Sequence, residues 1–340
     1  MQAPRRSARL FIAVFTLLLP SFAANSADVL RGEGWIYTRS GFPDDIQTKT
    51  EFGIFLAGGG PDLDQAFRWM CKKAGGGDFL VLRATGTPAY NPYIRKICPD
   101  QHSVSTLLIG SRAAAADPFV RRAILNAEAL FISGGDQANY VRFWKDTAVS
   151  RSIEELAARH VPVGGTSAGM AVLSEFAFAA LNDTVTSAQA LADPFDARVT
   201  IDRGFLAISP LLKNTITDTH FAARDRMGRL VAFLARIAEN HGARPISAIA
   251  ADENTALLME PDGSGAVVGK GAVYFLRTTS APEGCSPKKP LTYRQIAVQR
   301  IGKGRFFNVQ SWTGTGSEAA DRLSAINGAL ESTQVGGKIY

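Results

Sequence analysis

Along residues 52–259, short unbroken apolar runs alternate with longer stretches whose apolar positions recur every three or four residues. The runs at 52–57, 79–82, 104–109, 129–132 and 161–163 read as strands. The stretches 61–73, 117–126 and 152–160 have the helical period, as does a segment after Gln137 that carries Tyr140, Phe143 and Trp144. Asp117-Pro118 supplies a capping carboxylate and a proline suited to the first helical position. Further on, 214–217, 247–251 and 256–259 read as strands and 224–240 as an amphipathic helix. Strands alternating with helices predict an α/β fold, a three-layer sandwich around a mostly parallel sheet, with ligands gathering at the carboxyl ends of the strands. From residue 265 the strands shorten (272–276, 295–301, 306–309), with Gly, Pro and Ser between them, which predicts a β-rich extension of the same domain. Residues 319–330 read as a terminal helix and 338–340 as a frayed end.

Residues 1–27 stand apart. Arg5, Arg6 and Arg9 precede an apolar stretch at 10–19 and a small-residue run at 23–27, the order of a secretory signal peptide cleaved between residues 23 and 27. Arg5-Arg6 keeps a twin-arginine route in view. The apolar stretch is too short for a stable membrane anchor. The expectation is therefore a secreted or periplasmic protein whose residues 28–340 form a single domain. Without those three arginines the 37 basic residues fall to 34, against 31 acidic ones, a balance with no nucleic-acid signature. Cys71, Cys98 and Cys285 allow at most one bond. Cys71 with Cys98 is the nearest pair, and free buried thiols fit the sequence equally well.

The chemistry enters at Val163-Gly164-Gly165-Thr166-Ser167-Ala168-Gly169-Met170, where an apolar run leads through G-x-S-x-G into a helical segment. That is the pattern of a nucleophile elbow, in which glycines permit a sharp turn that lifts a serine out of the sheet. Ser167 is the candidate nucleophile, and the start of the following helix would help to stabilise an oxyanion. By contrast, Gly58-Gly59-Gly60 lacks the spacing of a nucleotide loop and reads as a tight turn. A serine needs a base, and the histidines are His102, His160, His220 and His241. His160 and His241 end helices and His102 sits in a loop without catalytic company. His220 follows a strand directly, in Asp218-Thr219-His220-Phe221, and is the candidate base. Only 53 positions separate Ser167 from His220, too early for the histidine of an α/β-hydrolase, so a lipase or esterase is the second choice.

Three blocks together resemble the cyanophycinases of the S51 serine peptidases: 132–137 (Ile-Ser-Gly-Gly-Asp-Gln), 164–169 (Gly-Gly-Thr-Ser-Ala-Gly), and 218–221 (Asp-Thr-His-Phe) followed by Arg224, Arg226, Gly228 and Arg229. The resemblance runs from about residue 52 to residue 259. It implies a flavodoxin-like sandwich related to class I glutamine amidotransferases, a Ser-His-acid triad, and neither metal nor other cofactor. The implied reaction is hydrolysis of cyanophycin, an arginine-decorated polyaspartate, to β-aspartyl-arginine dipeptides. Carried over by position, Ser167 matches the nucleophile and His220 the base, while Gln137, Asp218, Arg224 and Arg229 match pocket residues. Bidentate arginines and an acid would suit a substrate that presents carboxylates and a guanidinium. For Arg226 an ordinary salt-bridged helix face fits equally. Backbone N–H groups of Gly135 or Asp136, with that of Ala168, would form the oxyanion hole.

The chain departs from the family pattern at the acid. Where the family has a glutamate just after the elbow helix, residues 181–187 offer only Asp183, which becomes the candidate, with Glu175 too close to the elbow and Asp193 and Asp196 rather far. The departure leaves room for another isoaspartyl or β-aspartyl peptidase, or for a binding relative without turnover. The expected partner is a peptide or polymer bearing aspartyl and arginyl groups, with a homodimer left open.

Overall fold

The computed structural model describes residues 28–242, 244–315 and 320–340; the segment read as a signal peptide lies outside them. Five parallel strands form the centre of the first sheet, in the order Ser103–Ile109, Asp78–Arg83, Ala129–Ile132, Val163–Thr166, Ile54–Ala57. They are apolar on both faces because both faces are covered. Ile54, Leu56, Leu80 and Leu82 enter one core with the helices Pro118–Leu125, Gln137–Trp144 and Ala148–Ala158. Phe55, Ala57, Phe79 and Val81 point the other way, beneath the helices Asp64–Lys73 and Tyr90–Ile97. The second of these helices starts inside residues 84–92, a stretch that also holds Gly86, Pro88 and Pro92. A disulfide between Cys71 and Cys98 ties the two, with Cα atoms 6.4 Å apart, and Cys285 is buried and free.

Antiparallel strands widen this sheet on both sides. The hairpin Asp28–Gly32 and Trp35–Gly41 adds to Ser103–Ile109, and Thr255–Met259 begins a run of antiparallel strands beyond Ile54–Ala57. The remaining strands build a second sheet. Its centre, Ile246–Ala251, Thr215–Asp218 and Phe176–Phe178, is parallel, and the antiparallel strands Ala272–Thr278 and Tyr293–Gly302 continue it. Ile249, Ala251, Val273 and Phe275 share the first sheet's core, whereas Ile246, Ala248, Ala250 and Tyr274 pack against the helix Met227–His241. Burial of each such Leu, Ile or Phe side chain contributes roughly 1.5–3 kcal/mol. The predicted β-rich extension is thus divided between the sheets, with Phe306–Asn308 in the first.

The terminal helix expected at 319–330 is instead a hairpin, Asp321–Ile326 and Ala329–Ser332; residue 319 lies outside the described residues. Leu323 and Ala325 alternate into the core, and Asn327 and Gly328 form the two-residue loop with φ of 48° and 80°. Asn-Gly with both angles positive suits a type I′ turn, a signal that outweighs a weak helical period. Among the described residues no helix is long and apolar enough to cross a membrane.

Candidate active site

Both sheets deliver residues from the carboxyl ends of parallel strands. Val163–Thr166 ends at Ser167, whose φ of 52° and ψ of −119° throw the side chain out of the strand direction. The conformation depends on glycine at Gly169, where a Cβ would stand 2.0 Å from the Ile132 carbonyl oxygen. The neighbouring strand therefore ends close against the elbow, and a Cβ on Gly134 would lie 3.5 Å from that of Ser167. Gly135 and Asp136 follow, and the Asp136 carboxylate caps the next helix through the Ala138 N–H at 2.9 Å. Ala168 opens the short helix Ala168–Ala171 directly behind the serine. These are the backbone segments expected to supply oxyanion donors.

His220 stands just past the end of Thr215–Asp218, in a left-handed conformation with φ of 48°. The Ser167 Oγ lies 2.8 Å from His220 Nε2. On the ring's other side, Nδ1 is 2.6 Å from Glu253 Oε1. For the hydroxyl to give its proton to Nε2, Nδ1 must carry the ring proton, and the Glu253 carboxylate accepts it. Burial pushes the His220 pKa below its ordinary 6.5, with Arg224 and Arg226 adding to that effect and the bond to Glu253 opposing it. The ring is therefore neutral near pH 7, as a general base must be. The same bond holds the Glu253 carboxyl below its usual range.

The Gly58-Gly59-Gly60 turn joins these pieces. The Gly58 carbonyl accepts from His220 N at 2.7 Å and the Gly59 carbonyl from Asn254 N at 2.8 Å, while the Ala57 carbonyl accepts from Ser167 N at 3.0 Å. A Cβ on Gly59, where φ is 93°, would fall 2.5 Å from the His220 ring. The turn is tight because it passes directly against the imidazole. The sequence reads as a tight turn here, but it carries no sign that the turn packs against the imidazole.

The acid differs from the sequence expectation. Asp183 is exposed, and its Oδ1 accepts from the Thr184 N–H at 2.7 Å, a local turn with no contact to His220. Glu253 takes the place because Ile246–Ala251 runs parallel to Thr215–Asp218, so the residues just beyond the two strands share one edge. Glu175 is occupied elsewhere, accepting from Arg203 Nε and from Asn214 N. Asp196 holds Arg198, and Asp193 accepts from Phe195 N. His102 does have an acid beside it, Asp78 at 3.1 Å, but among residues that begin strands rather than end them.

Beside Gly135 and Asp136 opens a cavity of ≈ 580 Å³, lined also by Gln137, Asp183, Arg142, Arg224, Arg226 and Arg229. Its arginines are not equivalent. Arg229 is gripped at both ends of its fork by Asp218, through Nε at 2.8 Å and Nη2, with each side chain 3% exposed. Asp218 and Arg229 therefore satisfy each other, which corrects the expectation that both bind substrate directly. Arg226 donates to the Thr219 carbonyl at 2.8 Å, and burial lowers its pKa to about 10. Arg224 is 54% exposed, with Nε 4.0 Å from Glu253 Oε1, and keeps its fork for a ligand. Arg142 donates to the Leu181 carbonyl on the opposite rim.

Residues 100–265 match the model of Peptidase family S51. A cyanophycinase of Trichormus variabilis is 28% identical over 215 residues, covering 62% of this chain and 66% of that protein. One from Synechococcus elongatus is 26% identical over 276 residues, 76% of this chain and 80% of the relative. The chain thus spans just under two-thirds of the first relative's length. In fold it is similar to a peptidase from an acI-B1 actinobacterium, with a TM-score of 0.51 at 18% identity over 77% of this chain and 98% of the other. A mixed α/β sandwich with a serine elbow at the carboxyl edge of its parallel strands is the class I glutamine amidotransferase-like architecture of the serine-type S51 peptidases. Over residues 100–265 the chain is thus similar to peptidase family S51.

Proposed function

We propose that the chain is a serine peptidase that hydrolyses cyanophycin to β-aspartyl-arginine dipeptides. The observation that carries this reading is the line Ser167–His220–Glu253, at 2.8 and 2.6 Å, beside a cleft with a surplus of arginine. His220 takes the Ser167 proton as Oγ attacks the scissile carbonyl, and N–H groups of Ala168 and of the Gly135–Asp136 turn receive the oxyanion. His220 then protonates the leaving amine, and water repeats the sequence to release the acyl group. Glu253 keeps the imidazole in the required tautomer and stabilises its charged form. Arg224 is the fork free for a substrate carboxylate. Asp183, exposed in the cleft wall, is the carboxylate left to meet a substrate guanidinium. Export through the segment 1–27 would suit a polymer met outside the cytoplasm.

The test incubates purified protein with cyanophycin, with undecorated polyaspartate and with isoaspartyl dipeptides, and identifies products by mass spectrometry. Release of β-aspartyl-arginine from cyanophycin alone supports the reading. Cleavage of isoaspartyl dipeptides without attack on cyanophycin selects a different β-aspartyl peptidase. The non-catalytic alternative rested on a missing acid, and Glu253 beside His220 supports the catalytic reading over it. Failure of Ser167 to label with a fluorophosphonate would revive it.

A further inference from the structure

The residues expected to fray do not. The Tyr340 ring lies edge-on to Phe221 and Tyr274, with centroids 5.8 and 6.0 Å away. Its hydroxyl accepts from the Met227 N–H at 2.8 Å and donates to Asp225 Oδ1 at 2.9 Å. That one oxygen sits where the turn after His220 becomes the helix Met227–His241. Both of its partners neighbour the arginines: Asp225 separates Arg224 from Arg226, and Met227 follows Arg226.

The turn itself is closed. Arg224 N donates to the His220 carbonyl and Arg226 N to the Phe221 carbonyl, each at 3.0 Å. Asp252 holds its inner side, accepting from Ala222 N at 3.0 Å. Asp225 adopts a left-handed φ of 47°, a conformation a non-glycine residue keeps only where surrounding contacts enforce it. Tyr340 supplies such a contact to the side chain. Burial, with the Asp225 carboxylate adding to it, raises the phenol pKa well above its usual range, so the hydroxyl keeps its proton to donate.

We propose that Tyr340 is a positioning residue for the arginine-bearing turn, fixing the directions of Arg224 and Arg226 through its bonds to Asp225 and Met227 and its packing on Phe221. The inference rests on the reading of the site given above. It acts on substrate capture more than on the serine itself, because Ser167, Glu253 and the glycine turn hold the imidazole from the other side.

The experiment compares the parent protein with Tyr340→Phe, which keeps the ring and removes the hydroxyl, and with Tyr340→Ala. Cyanophycin kinetics, fluorophosphonate labelling of Ser167, melting temperature and amide exchange over residues 221–227 are measured for each. For Tyr340→Phe, KM should rise about tenfold, the equivalent of one ordinary hydrogen bond, with kcat and labelling rate within about twofold and exchange faster across the turn. Tyr340→Ala should move KM and exchange further in the same direction and lower the melting temperature. An unchanged KM in both variants overturns the proposal whatever the melting temperature does, because a merely structural tyrosine would behave so. If the parent protein does not cleave cyanophycin, the substrate reading fails, and exchange alone decides. Faster exchange in Tyr340→Phe then upholds the clamp and equal exchange overturns it.

Discussion

The turn at 164–169 contains three glycines and no charged side chain, whereas the turn at 218–229 holds a histidine, three arginines and two aspartates. Each sets a reactive side chain at the carboxyl edge of a sheet, by different physics. Around Ser167 the backbone is steered by close approach, with no room for a Cβ at Gly169. Around His220 the geometry is set by polar partners: Asp218 holds Arg229, Asp252 holds Ala222 N, and Glu253 holds the ring. A steric device tolerates almost no change of shape and little depends on pH. A charge-built device tolerates conservative changes of shape but responds to charge and protonation.

The first way to break this comparison is at its reactive atoms. Ser167→Ala should remove turnover by several orders of magnitude, as loss of a triad nucleophile does, with the melting temperature unchanged because the hydroxyl contributes little to packing. Glu253→Gln should cost roughly 10²- to 10⁴-fold in kcat with a smaller change in KM, since an amide can hold the ring in the wrong tautomer. If Glu253→Gln retains full turnover, the assignment of the acid is wrong.

Protonation sharpens the same contrast. Turnover requires neutral His220, so kcat/KM should fall as pH drops through the His220 pKa, and burial puts that midpoint below the ordinary 6.5. The bond to Glu253 is the influence that raises this pKa, so residual activity of Glu253→Gln should hold to a still lower pH. A pH–rate profile with an acid limb above pH 7 in the parent would contradict the burial argument.

What could be read from the sequence follows from how local each device is. Ser167 and His220 were legible because an elbow and a strand-end histidine are written within a few adjacent residues. Glu253 was not, since it meets His220 only through pairing of 215–218 with 246–251. The signal existed: both segments read as strands, and parallel neighbours would set His220 and the Asp252-Glu253 pair on one edge. The resemblance points instead to residues 181–187 after the elbow helix, where Asp183 is the one carboxylate. Likewise the resemblance assigns Asp218 and Arg229 to the pocket, and nothing in the sequence shows that the two charges neutralise each other. Most of the central parallel strands were legible as short, largely apolar runs, though Phe176–Phe178 was not read as one. Their division into two sheets was not, because an apolar face does not name the layer that covers it.

The glycine side yields a further break. Gly59→Ala would place a methyl 2.5 Å from the His220 ring and force an unfavourable φ of 93°. The ring must shift off the Ser167 hydroxyl, so kcat should drop about tenfold to a hundredfold, in keeping with the cost of a misplaced catalytic group. Fluorophosphonate labelling should slow in parallel. Equal labelling rates would mean that the turn merely fills space.

Among the charges, Arg229 and Arg224 should separate cleanly under the same substitution. Arg229→Lys loses the fork that Asp218 holds in a buried site, and should lower stability by about 2 kcal/mol. Arg224→Lys leaves stability alone and should raise KM about tenfold, through the loss of bidentate contact with a substrate carboxylate. Thermal melts and kinetics on the two variants check both halves. Matching effects from both substitutions would dissolve the distinction between the locked arginine and the free one.

The smallest effect belongs to Asp183, and it tests where a substrate guanidinium goes. Asp183 is exposed, lines the cleft, and uses one oxygen to accept from Thr184 N, leaving the other free. Asp218 cannot serve because Arg229 already occupies both its oxygens. Asp183→Asn keeps the shape and the bond to Thr184 while removing the charge. Labelling of Ser167 should therefore stay within about twofold, since the side chain touches neither His220 nor the serine, and KM for the arginine-bearing polymer should rise about threefold, the modest value of an exposed ion pair. KM for undecorated isoaspartyl dipeptides should not change. A fall in labelling would return Asp183 to the catalytic line, whereas equal KM on both substrates would leave it as a turn residue and send the guanidinium elsewhere in the cleft.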